Sequence, residues 1–163
     1  ITLVFLRIRR HYSRVESQIR LRPADADEVV SHTVVVLVAG PTRPAVHALR
    51  YAEAMRPDHL FALTVVQDAE RRAEVVRAWE KSGIAVPLEI IVDDYRDLSE
   101  PIEAFLTDTD ARWADDTLTV VIPEFVVHRW WEHLLHNQSA LVLKARLLYR
   151  RDTVVTSVPW HLD

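Results

Sequence analysis

The chain has 163 residues, 49% of them apolar and 27% charged, which suits one soluble globular domain long enough to bury a core. The absence of cysteine excludes disulfides, thiolate metal sites and a cysteine nucleophile, and permits a cytosolic location without proving one. The net charge of −4 is uneven: residues 1–22 hold six arginines against one glutamate, so the rest is acidic, which argues against a general nucleic-acid binder.

The N-terminal arm reads "ITLVFLRIRRHYSRVESQIRLRP" and opens on Ile1 rather than Met, so a piece of a longer protein is expected. Ile1–Leu6 is too short to span a bilayer, but an apolar run that meets Arg7, Arg9, Arg10 and Arg14 has the charge order of a transmembrane helix at its cytoplasmic exit. A signal peptide has the opposite order. The competing reading is an amphipathic helix, because Val4, Ile8, Tyr12, Val15 and Ile19 recur at helical spacing and could dock on the body or on another copy. Both readings make 1–21 a helical arm, followed by a polar linker at 22–31 and a domain at 32–163.

Within that domain "HTVVVLVA" is a β-branched run, the mark of a strand buried on both faces. "GPTRP" is a turn with Pro44 suited to a first helical turn, and "AVHALRYAEAMR" is a helix with Val46, Leu49, Ala52 and Met55 on its apolar side. "HLFALTVV" is the second strand. Asp68 caps the next helix and Gly83 stops it. "VPLEIIVDD" is the third strand, and Ser99 with Pro101 opens the third helix. "DTLTVVIP" is the fourth strand, residues 126–150 are helical with a polar interruption at 136–139, and "DTVVTSVP" is the fifth strand. Strands alternating with helices predict an α/β fold: a five-stranded parallel sheet with helices on both faces. Such sheets bind ligands beyond the carboxyl ends of their strands, where the strand order reverses.

This pattern, with a loop directly after the first strand and a long segment between the fourth and fifth, resembles the universal stress protein fold, of the adenine-nucleotide alpha-hydrolase type. ATP-binding members follow the fourth strand with a glycine, two residues, a second glycine, nine residues and a glycine-serine or glycine-threonine pair. Here the spacing is kept and the residues differ: Pro123, Val126, and then His136-Asn137. Pro123 and Val126 cannot bring backbone close to phosphates as glycines do, which puts ordinary ATP binding in doubt. Asn137 or Ser139 can still cap a helix whose amides face an anion. The arm "FLRIRRHYSRV", with "VIPEFVVHRWWEHLLHNQSALVLKARLL" and "VVTSVPWHL", also resembles the cytosolic C-terminal domain of amino-acid–polyamine-superfamily permeases, and within these the KimA-type potassium importers. This second resemblance implies a non-enzymatic regulatory and dimerising domain of an integral membrane protein, at the cytoplasmic face of the cell membrane. Because importers of this type are controlled by cyclic di-AMP, it also implies a cyclic dinucleotide as a candidate ligand, ahead of ATP.

The candidate nucleotide-binding residues are Gly40, Thr42 and Arg43 after the first strand, Val66 at the end of the second, Pro123, His128 and Arg129 after the fourth, and His136, Asn137, Gln138 and Ser139 at the polar interruption. Each also has a plain reading: a tight turn for Gly40–Pro44, strand core for Val66, solvated charge for Arg129, a capped kink for 136–139. The adjacent Trp130 and Trp131 point about 100° apart on a helix, so one is core and the other faces a subunit or a base, unless both are packing. His128, His133 and His136 lack an acidic or histidine partner at metal spacing, so no metal is expected. No nucleophile elbow, Walker A loop or G-x-G-x-x-G is present, so no catalytic residue is assigned. The expected partners are a second copy joined through the last strand "TVVTSV", the transmembrane transporter part and an adenine nucleotide. The alternatives are a purely structural dimerisation module, or the cytosolic domain of an amino-acid permease.

Overall fold

The computed structural model describes residues 31–93, 99–113, 116–126 and 138–161; the arm and all but the last residue of the linker lie outside them. Nine elements alternate among the described residues: β1 (Ser31–Leu37), α1 (Arg43–Ala54), β2 (His59–Val66), α2 (Ala69–Ser82), β3 (Leu88–Val92), α3 (Ser99–Arg112), β4 (Asp116–Val126), α4 (Gln138–Leu148) and β5 (Thr153–His161). The strands form one parallel sheet in the order β3-β2-β1-β4-β5. This is the α/β architecture expected from the alternating pattern.

Alternation along the central strands sends side chains to two cores. Val34 and Val36 of β1 join Ala45, Ala48, Leu49 and Ala52 of α1 and Trp79 of α2 on one face. Val35 of β1 joins Ile102 and Leu106 of α3 and Leu143 and Leu147 of α4 on the other. β1 and β4 are buried on both sides, which is why their sequences read as continuous apolar runs. The Trp79 indole N–H donates to the Val86 carbonyl at 3.0 Å, so this buried aromatic leaves no orphaned donor.

Local signals set the helix ends. Thr42 caps α1 by accepting from the Ala45 amide, with Pro44 in the first turn. Asp68 caps α2 by accepting from the Arg71 amide at 2.7 Å. Gly83 ends α2 in the left-handed conformation at φ 71°, which costs glycine little because it has no Cβ. The buried stripe of α1 runs through Ala45, Ala48, Leu49 and Ala52, with Met55 packed against it; Val46 is only half-buried, so the expected face is rotated by one position.

The expected end of the fourth strand and start of the fourth helix need correction. β4 continues through Pro123 to Val126 because β5 pairs with it all the way, from Leu118↔Thr153 to Val126↔His161. Val126 is therefore a strand residue, and α4 is described only from Gln138. β5 likewise runs two residues beyond Pro159. β1 leaves this ladder early: its last register pair with β4 is Val36↔Val121. Beyond it, β4 and β5 continue as a two-stranded ribbon overhanging the carboxyl edge of the sheet.

Candidate functional site

The strand order reverses between β1 and β4, since the chain crosses from β1 to β2 on one side and reaches β4 only after β3. Connections there leave in opposite directions, which is where sheets of this type form a ligand crevice at the carboxyl edge. One wall is the β1–α1 turn. Gly40 is buried there with φ 150°, and its carbonyl accepts the Thr42 amide at 2.9 Å. The other wall is the overhanging stretch of β4 from Ile122 to Val126. Proline gives no N–H to a ladder, and Pro123 stands two residues past the last pairing with β1.

The β5 half of the ribbon returns to the β1–α1 turn through Trp160. The Arg43 guanidinium carbon lies 5.2 Å from the centre of the Trp160 ring, a cation–π distance. His47, one helical turn along α1, meets the same ring edge-on at 5.7 Å between centroids. Arg43, His47 and Trp160 thus form a cationic and aromatic cluster where α1 begins. The N-terminus of α1 adds its own positive dipole end, and no acidic residue occupies its first turn.

Of the sequence candidates, Gly40, Thr42, Arg43 and Pro123 share this edge. Thr42 is exposed, but its hydroxyl is engaged in the cap. Val66 is at the same edge one strand over; its side chain is buried and its carbonyl accepts the Asp93 amide at 2.8 Å. His128, Arg129, His136 and Asn137 lie outside the described residues, as do Trp130, Trp131 and His133. Gln138 and Ser139 fall in the first turn of α4. Sequence reasoning missed Trp160 and His47. The signal was "VPWH": the pairing of Glu124 with Pro159 carries Trp160 beyond the expected strand end and onto the crevice.

A second feature fixes the far wall. Lys144 of α4 pairs with Glu124 of β4, both side chains about four-fifths covered. The bond joins a residue two positions before the end of β4 to the second turn of α4 and so sets how far apart the ends of the 127–137 segment lie. Among the described residues no group of three or more His, Cys, Asp or Glu could hold a metal ion. No described helix is long and apolar enough to cross a membrane.

Comparison with known proteins gives two matches. The family model described as the KimA potassium transporter C-terminal domain matches residues 30–160. The potassium transporter KimA of Bacillus subtilis (strain 168) is 31% identical over 163 residues, which covers 99% of this chain and 27% of that protein. A family model over most of the chain and a relative matched almost end to end lead to one assignment: the chain belongs to the KimA potassium transporter C-terminal domain family.

Proposed function

We propose that the chain is the cytosolic regulatory and dimerisation domain of a membrane transporter for potassium uptake, non-enzymatic and universal-stress-protein-like, and that it senses an adenine nucleotide, cyclic di-AMP ahead of ATP. The observation that carries this reading is the gathering of Arg43, His47 and Trp160 at the start of α1, beside the switch point between β1 and β4. Helix N-terminal amides and an arginine suit a phosphate, and an indole suits a purine face. Pro123 in place of a glycine removes the close backbone approach that a linear triphosphate uses. The proposed phosphate contacts include His128, Arg129, His136, Asn137, Gln138 and Ser139.

Ligand binding would act by favouring one arrangement of two copies over another. β5 supports dimerisation because it is an edge strand with Val154 about half exposed, and an open apolar edge needs a cover. Calorimetry with cyclic di-AMP, ATP and AMP on the chain tests the nucleotide. Trp160→Leu, and separately Asn137→Ala with Ser139→Ala, should each weaken cyclic di-AMP binding about tenfold, equivalent to roughly 1.4 kcal/mol. No heat with any nucleotide would leave the second reading, a structural module, which the Thr42 hydroxyl already engaged in capping and the Pro123 replacement favour.

A further inference from the structure

The amino ends of β1 and β4 carry polar groups that the fold leaves unmatched. Val35 of β1 and Leu118 and Val120 of β4 point to the α3–α4 face. Strand alternation sends Ser31, Thr33 and Asp116 to that same face. Ser31 is the register partner of Asp116, and Thr33 that of Leu118. Neighbouring strands lie about 4.8 Å apart, so these three oxygen-bearing side chains share one small area at one end of the sheet. His32 goes to the opposite face, where its ring is bonded to the Thr119 hydroxyl at 2.8 Å.

Two of the three are buried with nothing to bond. Thr33 is 1% exposed and its hydroxyl has no hydrogen-bond partner. Both carboxylate oxygens of Asp116 are buried without a partner, although the residue as a whole is only half-buried and stands at the rim. Interiors rarely leave such groups unmatched, and a buried carboxylate is costly unless a positive charge offsets it. Arg150, at the α4–β5 turn, does not supply that charge. Its guanidinium pairs with Asp110 and donates to Thr107, and its Nε–H finds no acceptor.

The donor set selects the class of ligand. A carboxylate and two hydroxyls are hard oxygen donors, with no nitrogen or sulfur to favour a transition metal. Calcium sites commonly gather several carboxylates, whereas one carboxylate balances one positive charge. We propose that Ser31, Thr33 and Asp116 bind a monovalent alkali cation at the amino end of the β1–β4 pair. Such a site needs no cluster of histidines and acids. It lies at the end of the sheet opposite Arg43, His47 and Trp160, so it holds whatever that cluster binds.

Thermal unfolding of the chain at constant ionic strength tests this. Replacing choline chloride, whose cation is too large for the site, by potassium or sodium chloride should raise Tm by about 3 °C. In Asp116→Asn, which keeps the shape and removes the charge, the salts should give the same Tm. In Thr33→Val the cation concentration at half-effect should rise about tenfold. Each variant is compared with itself across salts, so a general loss of stability does not imitate the result. Sodium NMR reads binding directly: the chain should broaden the sodium line, potassium should reverse the broadening, and Asp116→Asn should not broaden it. Equal Tm in all three salts for the unsubstituted chain would give the buried oxygens to water or a proton. A salt-specific shift that survives Asp116→Asn would place the cation elsewhere. A shift with magnesium or calcium chloride alone would mean a divalent site. Each of these three results overturns the proposal.

Discussion

The two faces of the sheet are built differently. On the α1–α2 face the helix is brought close by alanines: Ala45, Ala48 and Ala52 lie on the strands, where Ala62 of β2 is also small. On the α3–α4 face the contacts are larger, Leu106 and Leu147 against Leu63, Leu118 and Val120, and the rim is closed by ion pairs. There Arg150 of the α4–β5 turn pairs with Asp110 and donates to the Thr107 hydroxyl at 2.9 Å, Arg146 approaches Glu103 at 3.8 Å, and Lys144 holds Glu124. One face depends on close approach, so added volume there costs stability. The other depends on filled volume plus charge, and so responds to ionic strength as the first does not.

Four substitutions sharpen this contrast. Leu106→Ala removes a fully buried side chain from the α3–α4 face and should cost about 2–5 kcal/mol in denaturant unfolding, through lost transfer energy and the cavity left behind. Ala48→Leu forces volume into the α1–α2 face and should cost about 1–3 kcal/mol; a smaller loss than a surface change would mean that α1 can move away from the sheet. Arg150→Met deletes the ion pair and the Thr107 bond and should cost about 1 kcal/mol at low salt and less at 1 M salt. A cost that does not change with salt would assign its effect to packing of the arginine stem. Arg71→Ala breaks an exposed pair with Glu74 within α2 and should stay within about 0.5 kcal/mol at any salt.

Most of the fold could be read from the chain because local and tertiary preferences agree there. The β-branched runs of β1 and β4 are strands buried on both faces, and Pro44, Asp68 and Gly83 mark helix ends with their own backbone chemistry. The reading failed where a tertiary partner decided. Pro123 and Pro159 look like strand ends locally, yet each stays in register because the opposite strand continues past it. That single fact hid Trp160 from the candidate site. Gly40, Thr42 and Arg43 are candidates as the loop after the first strand, and Pro123 through the resemblance to the stress-protein loop; the observed strand order puts them at one edge of the sheet. No local signal reveals a cluster that requires a residue from the far end of the chain to fold back over α1.

The overhanging ribbon has a consequence for how this protein can change. From Ile122 to Val126 and from Ser157 to His161 the two strands pair with each other, while β1 has already turned away. Ile122 and Val158 at the base of the ribbon are still buried members of the two cores, so it is the positions beyond them that can change without renegotiating the sheet. The positions beyond Ile122 and Val158 are thereby free of the pairing that holds β4 to β1, and selection can act on them with little effect on the rest of the sheet.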